Sequence, residues 1–330
     1  MKTIFLSHHP HEVHLEFAKS VNAKIKTVHL NWFIKLTKKA FFLNYFYPLI
    51  SLFYSFFIRG NEDCLLVDGG SSLYLAAFLK IRRPRLKIIF LDGDLFFYGL
   101  KDVLLKGHLN KLPIFFYNKI DGVISVSEQS RQKAEKYVNV PVLVSPPYPQ
   151  PMKKTSVKRK NYGLYVGRLD PDKNIKRIVE FGLQCPYFEK FIVVGDGTQK
   201  EYVKDLSQVN TKLVYAGQRK DVNKFYSECK FLIHIPDYDP HPCTTMESAL
   251  CGCFPIISTG TGTKYLFNKQ FIIENPNDFD SINKKIGYIL KNEKKSRELL
   301  SSSSKKFPSK SLSIRSFKNN FHRMIKEVSG

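Results

Sequence analysis

The chain has 330 residues, 43% of them hydrophobic and 14% aromatic, which is enough apolar surface for two packed domains and excludes a disordered chain. With 52 basic against 29 acidic residues its formal charge is +23, so its counterparts are anionic: a phosphorylated or pyrophosphorylated substrate, an anionic membrane surface, or nucleic acid. Its six cysteines (Cys64, Cys185, Cys229, Cys243, Cys251 and Cys253) include no CxxC pair, which argues against zinc and dithiol redox sites and fits a reducing compartment.

In chain order, Lys2–Ser7 reads as a first buried strand, its apolar run being too short for the hydrophobic region of a secretory signal. The loop that follows, Ser7-His8-His9-Pro10-His11-Glu12-Val13-His14, lacks the spacing of a three-ligand zinc site. His8, His9 and His11 are read as acceptor-side candidates, with a solvent-facing polar loop as the plain alternative. Ala40–Ile58 carries no charge and is nearly long enough to cross a bilayer, but Asn44, Pro48, three tyrosines and two serines interrupt it. Flanked by Lys35, Lys38, Lys39 and Arg59, it predicts an aromatic helix lying at a membrane interface, with a buried helix or a true span as alternatives.

Further strands are predicted at Cys64–Asp68, Lys87–Leu91, Gly122–Val126 and Val142–Ser145. Asp92-Gly93-Asp94 after the third strand has the hard oxygen ligands that suit Mg²⁺ or Mn²⁺, but the phosphate-binding candidates lie in the other half, and no metal is expected. Asp94 is read as a catalytic candidate that accepts a proton or a hydrogen bond from an acceptor. The prolines and lysines of Pro146–Lys154 mark a linker between a domain over residues 1–150 and another over 151–312, with a last helix at about 313–330 expected to pack back on the first. In the second half, strands are predicted at Gly163–Val166, Lys190–Val194, Lys212–Ala216, Phe231–Ile235 and Phe254–Ser258, and Ser301–Ser304 is read as a surface turn. Strands alternating with amphipathic stretches predict two doubly wound α/β domains.

Glycine turns at Gly167-Arg168, Gly195-Asp196-Gly197 and Gly217-Gln218-Arg219 close three successive strands, where ligands of open parallel sheets bind. Arg168 and Lys173, about a turn apart, are able to clamp a pyrophosphate. A helix expected to begin near Thr244 offers unpaired backbone N–H groups to phosphate. Glu247 in its first turn admits two readings, a ligand-binding carboxylate or the far end of a Thr244-x-x-Glu247 capping box.

The succession VGRLDPDKN, VVGDG, YAGQRKDVNKFYSECKFLIHIP, then an acid and, after seven residues, MESALCGCFPIIS resembles the retaining glycosyltransferase group 1 family, family 4, from Tyr162 to about Leu266. In the first half IDGVISVSEQSRQKAEKY is similar to that family's last N-domain strand and helix. The resemblance implies a GT-B fold, an α/β architecture of two Rossmann-like doubly wound domains facing a cleft, with a nucleotide-diphosphate sugar on the second domain. It implies that Arg168 and Lys173 hold the diphosphate, that Glu247 bonds the ribose hydroxyls and that Asp239, as a catalytic candidate, meets the donor sugar. Gly167, Gly217, His241, Thr244 and Thr245 complete the implied donor side. It further implies retention of anomeric configuration with no cofactor and no metal.

The sequence departs from the family pattern in four places. Asp239 stands for glutamate, Pro240-His241-Pro242 for a glycine-and-aromatic stretch, Gly93 for a histidine, and the histidine-rich loop for a glycine-rich one. The expected partners are a nucleotide sugar, a lipid-linked or saccharide acceptor and an anionic membrane surface. Nucleic acid is not expected, because the basic residues are spread rather than gathered. The expected location is cytoplasmic, peripheral at the inner face of the membrane. A catalytically inactive sugar-nucleotide-binding subunit, or a GT-B-like epimerase or phosphorylase, stands as the alternative.

Overall fold

Each half of the protein is built on its own six-stranded, wholly parallel sheet in a computed structural model that describes residues 1–7, 11–27, 47–58, 60–99, 116–153 and 157–329. Met1–Pro147 and Lys310–Gly330 form one unit, and Tyr148–Ser309 the other.

In the first unit the strands are β1 (Thr3–Ser7), β2 (Lys24–Thr27), β3 (Cys64–Asp68), β4 (Lys87–Asp92), β5 (Gly122–Ser125) and β6 (Val142–Val144), in the order β2-β1-β3-β4-β5-β6. β1, β3 and β5 are buried along their whole length, as expected where helices cover both faces of a parallel sheet. The described helices here are α1 (Glu12–Ser20), α2 (Tyr47–Phe57), α3 (Gly70–Arg82), α4 (Glu128–Ala134) and the last helix, α11 (Lys310–Ser329). Phe17 of α1 stacks on Phe317 of α11 with ring centroids 4.4 Å apart, and Phe321 and Met324 continue the buried stripe at helical spacing. Each such side chain removed from water contributes about 2 kcal/mol.

The second unit has β7 (Lys160–Val166), β8 (Lys190–Val194), β9 (Leu213–Gly217), β10 (Cys229–His234), β11 (Phe254–Ser258) and β12 (Ile272–Ile273), in the order β12-β11-β10-β7-β8-β9. Its helices are α5 (Ile175–Gln184), α6 (Lys200–Val209), α7 (Val222–Glu228), α8 (Cys243–Cys251), α9 (Phe279–Lys291) and α10 (Glu293–Ser304). α5 buries Ile175, Ile178, Val179, Phe181 and Gly182 against a core that includes Phe191, Phe231, Phe254 and Phe271.

The ten strands read from the sequence are present with ends shifted by a few residues, and two edge strands, β2 and β12, carry too short or too polar a pattern to be read. Ser301–Ser304 is not a surface turn but the last turn of α10. Ser303 and Ser304 donate to the Leu299 and Ser301 carbonyls at 2.9 Å, so their hydroxyls bond back to the helix instead of breaking it. Of the stretch Ala40–Ile58, residues 40–46 lie outside the described residues, and Tyr47–Phe57 form the eleven-residue α2. No helix among the described residues is long and apolar enough to cross a membrane. α2 is turned opposite to an ordinary surface helix: Ser51 and Ser55 are buried, while Leu49, Phe53, Phe56 and Phe57 are exposed, Phe53 to 67%.

Candidate functional site

The order of the second sheet reverses between β7 and β10, and at such a switch point two strand ends open a crevice for ligands. β7 runs there into Gly167-Arg168 and β10 into Ile235–Asp239. The turn is tight because the Gly167 carbonyl lies 1.9 Å from where a Cβ at position 195 would stand, so only glycine fits there. At the end of β9, Gly217 adopts φ +68°, the left-handed region that favours glycine.

Arg168 is 60% exposed and pairs with Asp170 and, at 3.0 Å, with Asp172. Lys173 points inward, its Nζ 2.7 Å from Asp239 Oδ2 and 3.6 Å from Asp172. Beneath the same carboxylate oxygen lies His234 Nε2 at 3.2 Å, close but without hydrogen-bond alignment, so this contact is electrostatic. The His234 ring is parallel to Tyr165, whose hydroxyl donates to the Arg168 carbonyl at 2.8 Å and ties the loop to β7. Burial alone would raise the pKa of Asp239, but the Lys173 charge, helped by His234, holds it well below the usual carboxylate range. The cation suited to a diphosphate is therefore held by a carboxylate of its own chain.

α8 starts after Pro242, one residue before the expected Thr244, and no side chain caps its first turn. The capping box does not form. Glu247 instead accepts from the Gln150 N–H at 3.2 Å and from the Tyr226 hydroxyl at 3.3 Å, and burial raises its pKa. Thr244 is half-buried beside the helix start. Thr245 is fully buried, its hydroxyl donating to the Pro242 carbonyl at 2.8 Å and lying 2.9 Å from that of Thr263. The side-chain donor of Thr245 is thus engaged inside the fold. His241 is half-buried between two prolines that fix its backbone.

The candidates of the first unit divide differently. His8 and His9 lie outside the described residues, and His11 is the exposed residue preceding α1, its ring 5.9 Å from that of His14. Asp94 accepts from two backbone N–H groups, Gly70 at 3.0 Å and Phe96 at 2.8 Å, whereas Asp92 accepts from the Ser125 hydroxyl at 3.2 Å. The two carboxylates of Asp92-Gly93-Asp94 thus serve different partners, and no cluster of three or more His, Cys, Asp or Glu side chains able to hold a metal occurs among the described residues. Burial, with its like-charged neighbour second, raises the pKa of Asp92 well above the ordinary value.

Sequence reasoning missed His234, Tyr226 and Asp68, and it met His14 only as a member of the histidine-rich loop. His234 and Asp68 each end a strand at a switch point, which is the signal that points to them once strand order is known. Tyr226 carries no local signal, because its helix looks merely amphipathic until Glu247 packs against it.

Residues 149–307 match the family described as glycosyl transferases group 1. A sequence search of curated proteins finds no match. Among solved structures, HepE of Anabaena in complex with UDP-glucose is similar at a TM-score of 0.71 and 16% identity, over 99% of both chains. Sucrose-phosphate synthase from Thermosynechococcus elongatus is similar at 0.67 and 15% identity, over 83% of this chain and 76% of that one. The lipopolysaccharide outer core galactosyltransferase WaaB is similar at 0.63 and 13% identity, over 98% of this chain and 99% of the other. At these identities the likeness establishes the two-unit GT-B architecture. The match to the glycosyl transferases group 1 family thus falls on the second unit, the one that carries the crevice between β7 and β10.

Proposed function

We propose that the chain moves a sugar from a nucleotide-diphosphate sugar to a hydroxyl or phosphate acceptor, with retention of configuration and without a divalent metal or other cofactor. The observation that carries this reading is the meeting, at one switch point of the family-matching unit, of Arg168, Lys173 and Asp239 beside a helix start with no side-chain cap. Arg168 and Lys173 would neutralise the departing nucleoside diphosphate, the task a metal performs elsewhere. In drawing Lys173 away, the diphosphate frees the Asp239 carboxylate to accept hydroxyls of the donor sugar. Glu247 has two partners for about four lone-pair positions, which leaves capacity for the two ribose hydroxyls. Gly167, Gly217, His241 and Thr244 line the same donor side, and Asp94, His8, His9 and His11 are the acceptor-side candidates. HepE is described in complex with UDP and with UDP-glucose, which makes UDP-sugars the first donors to try.

The acceptor is read as lipid-linked or a saccharide precursor, and the protein as cytoplasmic and peripheral at the inner membrane face. Support comes from the exposed aromatic face of α2 and the Arg82 guanidinium 4.9 Å over the Phe56 ring, an apolar surface with a cation against it.

The test is thermal melting against UDP, GDP, ADP and their sugar conjugates, with and without EDTA, for the wild type, Glu247→Ala and Glu247→Gln. Selective stabilisation by one nucleotide class that survives EDTA and is lost in both variants is expected. No response to any nucleotide, or one that requires metal, would overturn the donor site.

A further inference from the structure

The first sheet has its own switch point, between β1 and β3, whose last residues Ser7 and Asp68 are register partners. Neither has a part in the reading given so far, yet they build a relay. The Ser7 hydroxyl donates to Asp68 Oδ2 at 3.0 Å, and Asp68 Oδ1 lies 3.0 Å from Nδ1 of His14, whose residue is only 8% exposed. A histidine fixed through Nδ1 presents its other nitrogen, Nε2, in a set direction. Here that direction is the space over Gly93: a Cβ built on Gly93 would lie 2.5 Å from His14 Cε1 and 2.9 Å from Nε2. The missing side chain at position 93 thus makes room for an imidazole delivered from α1. Asp94 completes the surround with a second carboxylate, each of whose oxygens accepts one backbone N–H. Burial alone would lower the pKa of His14, and Asp68, then Asp94, outweigh it and raise it.

From this geometry we infer that His14, oriented by Asp68 and Ser7, is the acceptor-recognition residue, and that it selects a neutral hydroxyl rather than a phosphate. The inference rests on the reading of the chain as a sugar transferase and narrows its acceptor class. Nε2 accepts a hydrogen bond from a hydroxyl when the imidazole is neutral and donates one when it is protonated, so a sugar hydroxyl satisfies either state. A phosphate meets a different field. The His14–Asp68 pair is at best neutral, Asp94 brings a second carboxylate, and among the described residues no Lys or Arg pairs with Ser7, His14, Asp68 or Asp94.

Selective labelling of histidine Cε1 gives NMR signals for the nine histidines, and His14→Gln assigns one by its loss. The labelled protein is titrated with methyl glycosides of glucose, galactose, mannose and N-acetylglucosamine, and separately with glycerol 3-phosphate. A saturable shift of the His14 signal with at least one neutral glycoside is expected, with none from the phosphate ester. Gly93→Ala, which fills the space, weakens the glycoside response at least tenfold, and Asp68→Asn moves the His14 titration midpoint down. No shift with any neutral glycoside, or an equal shift with the phosphate, overturns the proposal. UDP binding measured on the same samples keeps the readings apart: its absence counts against the donor site, whereas its presence with a silent His14 counts against this inference alone.

Discussion

Asp239→Asn removes the charge that holds Lys173 while keeping the shape of the side chain. The pair is 2.7 Å long and both side chains are nearly buried, so the substitution strands a buried ammonium. Breaking one side of such a pair costs about 3 kcal/mol, which for a unit of this size is a fall in melting temperature of about 6–12 °C. Lys173→Met alone strands the carboxylate and costs a comparable amount, whereas the double variant strands neither. A double-mutant cycle read by thermal or urea unfolding should therefore give a coupling energy above about 1.5 kcal/mol. Because the pKa of Asp239 is depressed, its contribution is present above the unfolded value of about 3.9 and lost only as pH falls through the lower folded value. The deficit of Asp239→Asn should accordingly stay constant from pH 5 to pH 9. The same change should tighten UDP binding by about tenfold, since the diphosphate no longer competes with a carboxylate for Lys173, while abolishing sugar transfer. A coupling energy below about 0.5 kcal/mol, or weaker UDP binding in Asp239→Asn, would refute the idea that the cation is held in reserve by its own chain.

Gly195→Ala drives a methyl group into the Gly167 carbonyl, and it should cost at least about 2 kcal/mol and leave little folded protein on chemical denaturation; a wild-type denaturation midpoint would contradict the close approach. His14 has a raised pKa, so its pairing with Asp68 stabilises fully below about pH 6.5 and is lost as pH rises through the folded value. The melting-temperature gap between wild type and His14→Gln should thus be wider at pH 6 than at pH 9, with Asp68, Asp94 and the neighbouring His11 as the groups that face the ring. A gap that widens with pH would contradict the ion pair. Phe53→Ser with Phe57→Ser should reduce co-sedimentation with anionic vesicles by about tenfold or more while leaving UDP binding intact, and unchanged sedimentation would rule out α2 as the attachment face.

The donor side was more legible than the acceptor side because its signals are local. Gly167, Gly195 and Gly217 are turn glycines at strand ends, and Arg168, Lys173, Asp239 and Glu247 follow at spacings that survive in a linear reading. Even so, Thr244-x-x-Glu247 fits a capping box equally well, and only the tertiary structure shows that the box does not form, with Glu247 accepting from Gln150 and Tyr226 instead. α2 shows the opposite failure. Its composition reads as an apolar helix, but which face is covered depends on the two serines turning inward, a choice that hydropathy does not encode.

The alternation of apolar runs and turn residues determined, from sequence alone, that this chain folds as two parallel α/β units and where most of their strands lie, because strand period, helix period and turn chemistry act over a few neighbouring residues. The pairings that give the sites their chemistry were decided by tertiary structure. His14 meets Asp68 across 54 residues and Lys173 meets Asp239 across 66, and both contacts exist because the strand order of each sheet reverses where those chain segments emerge. Strand order follows from how the whole core packs, a global property that no local pattern of residues carries.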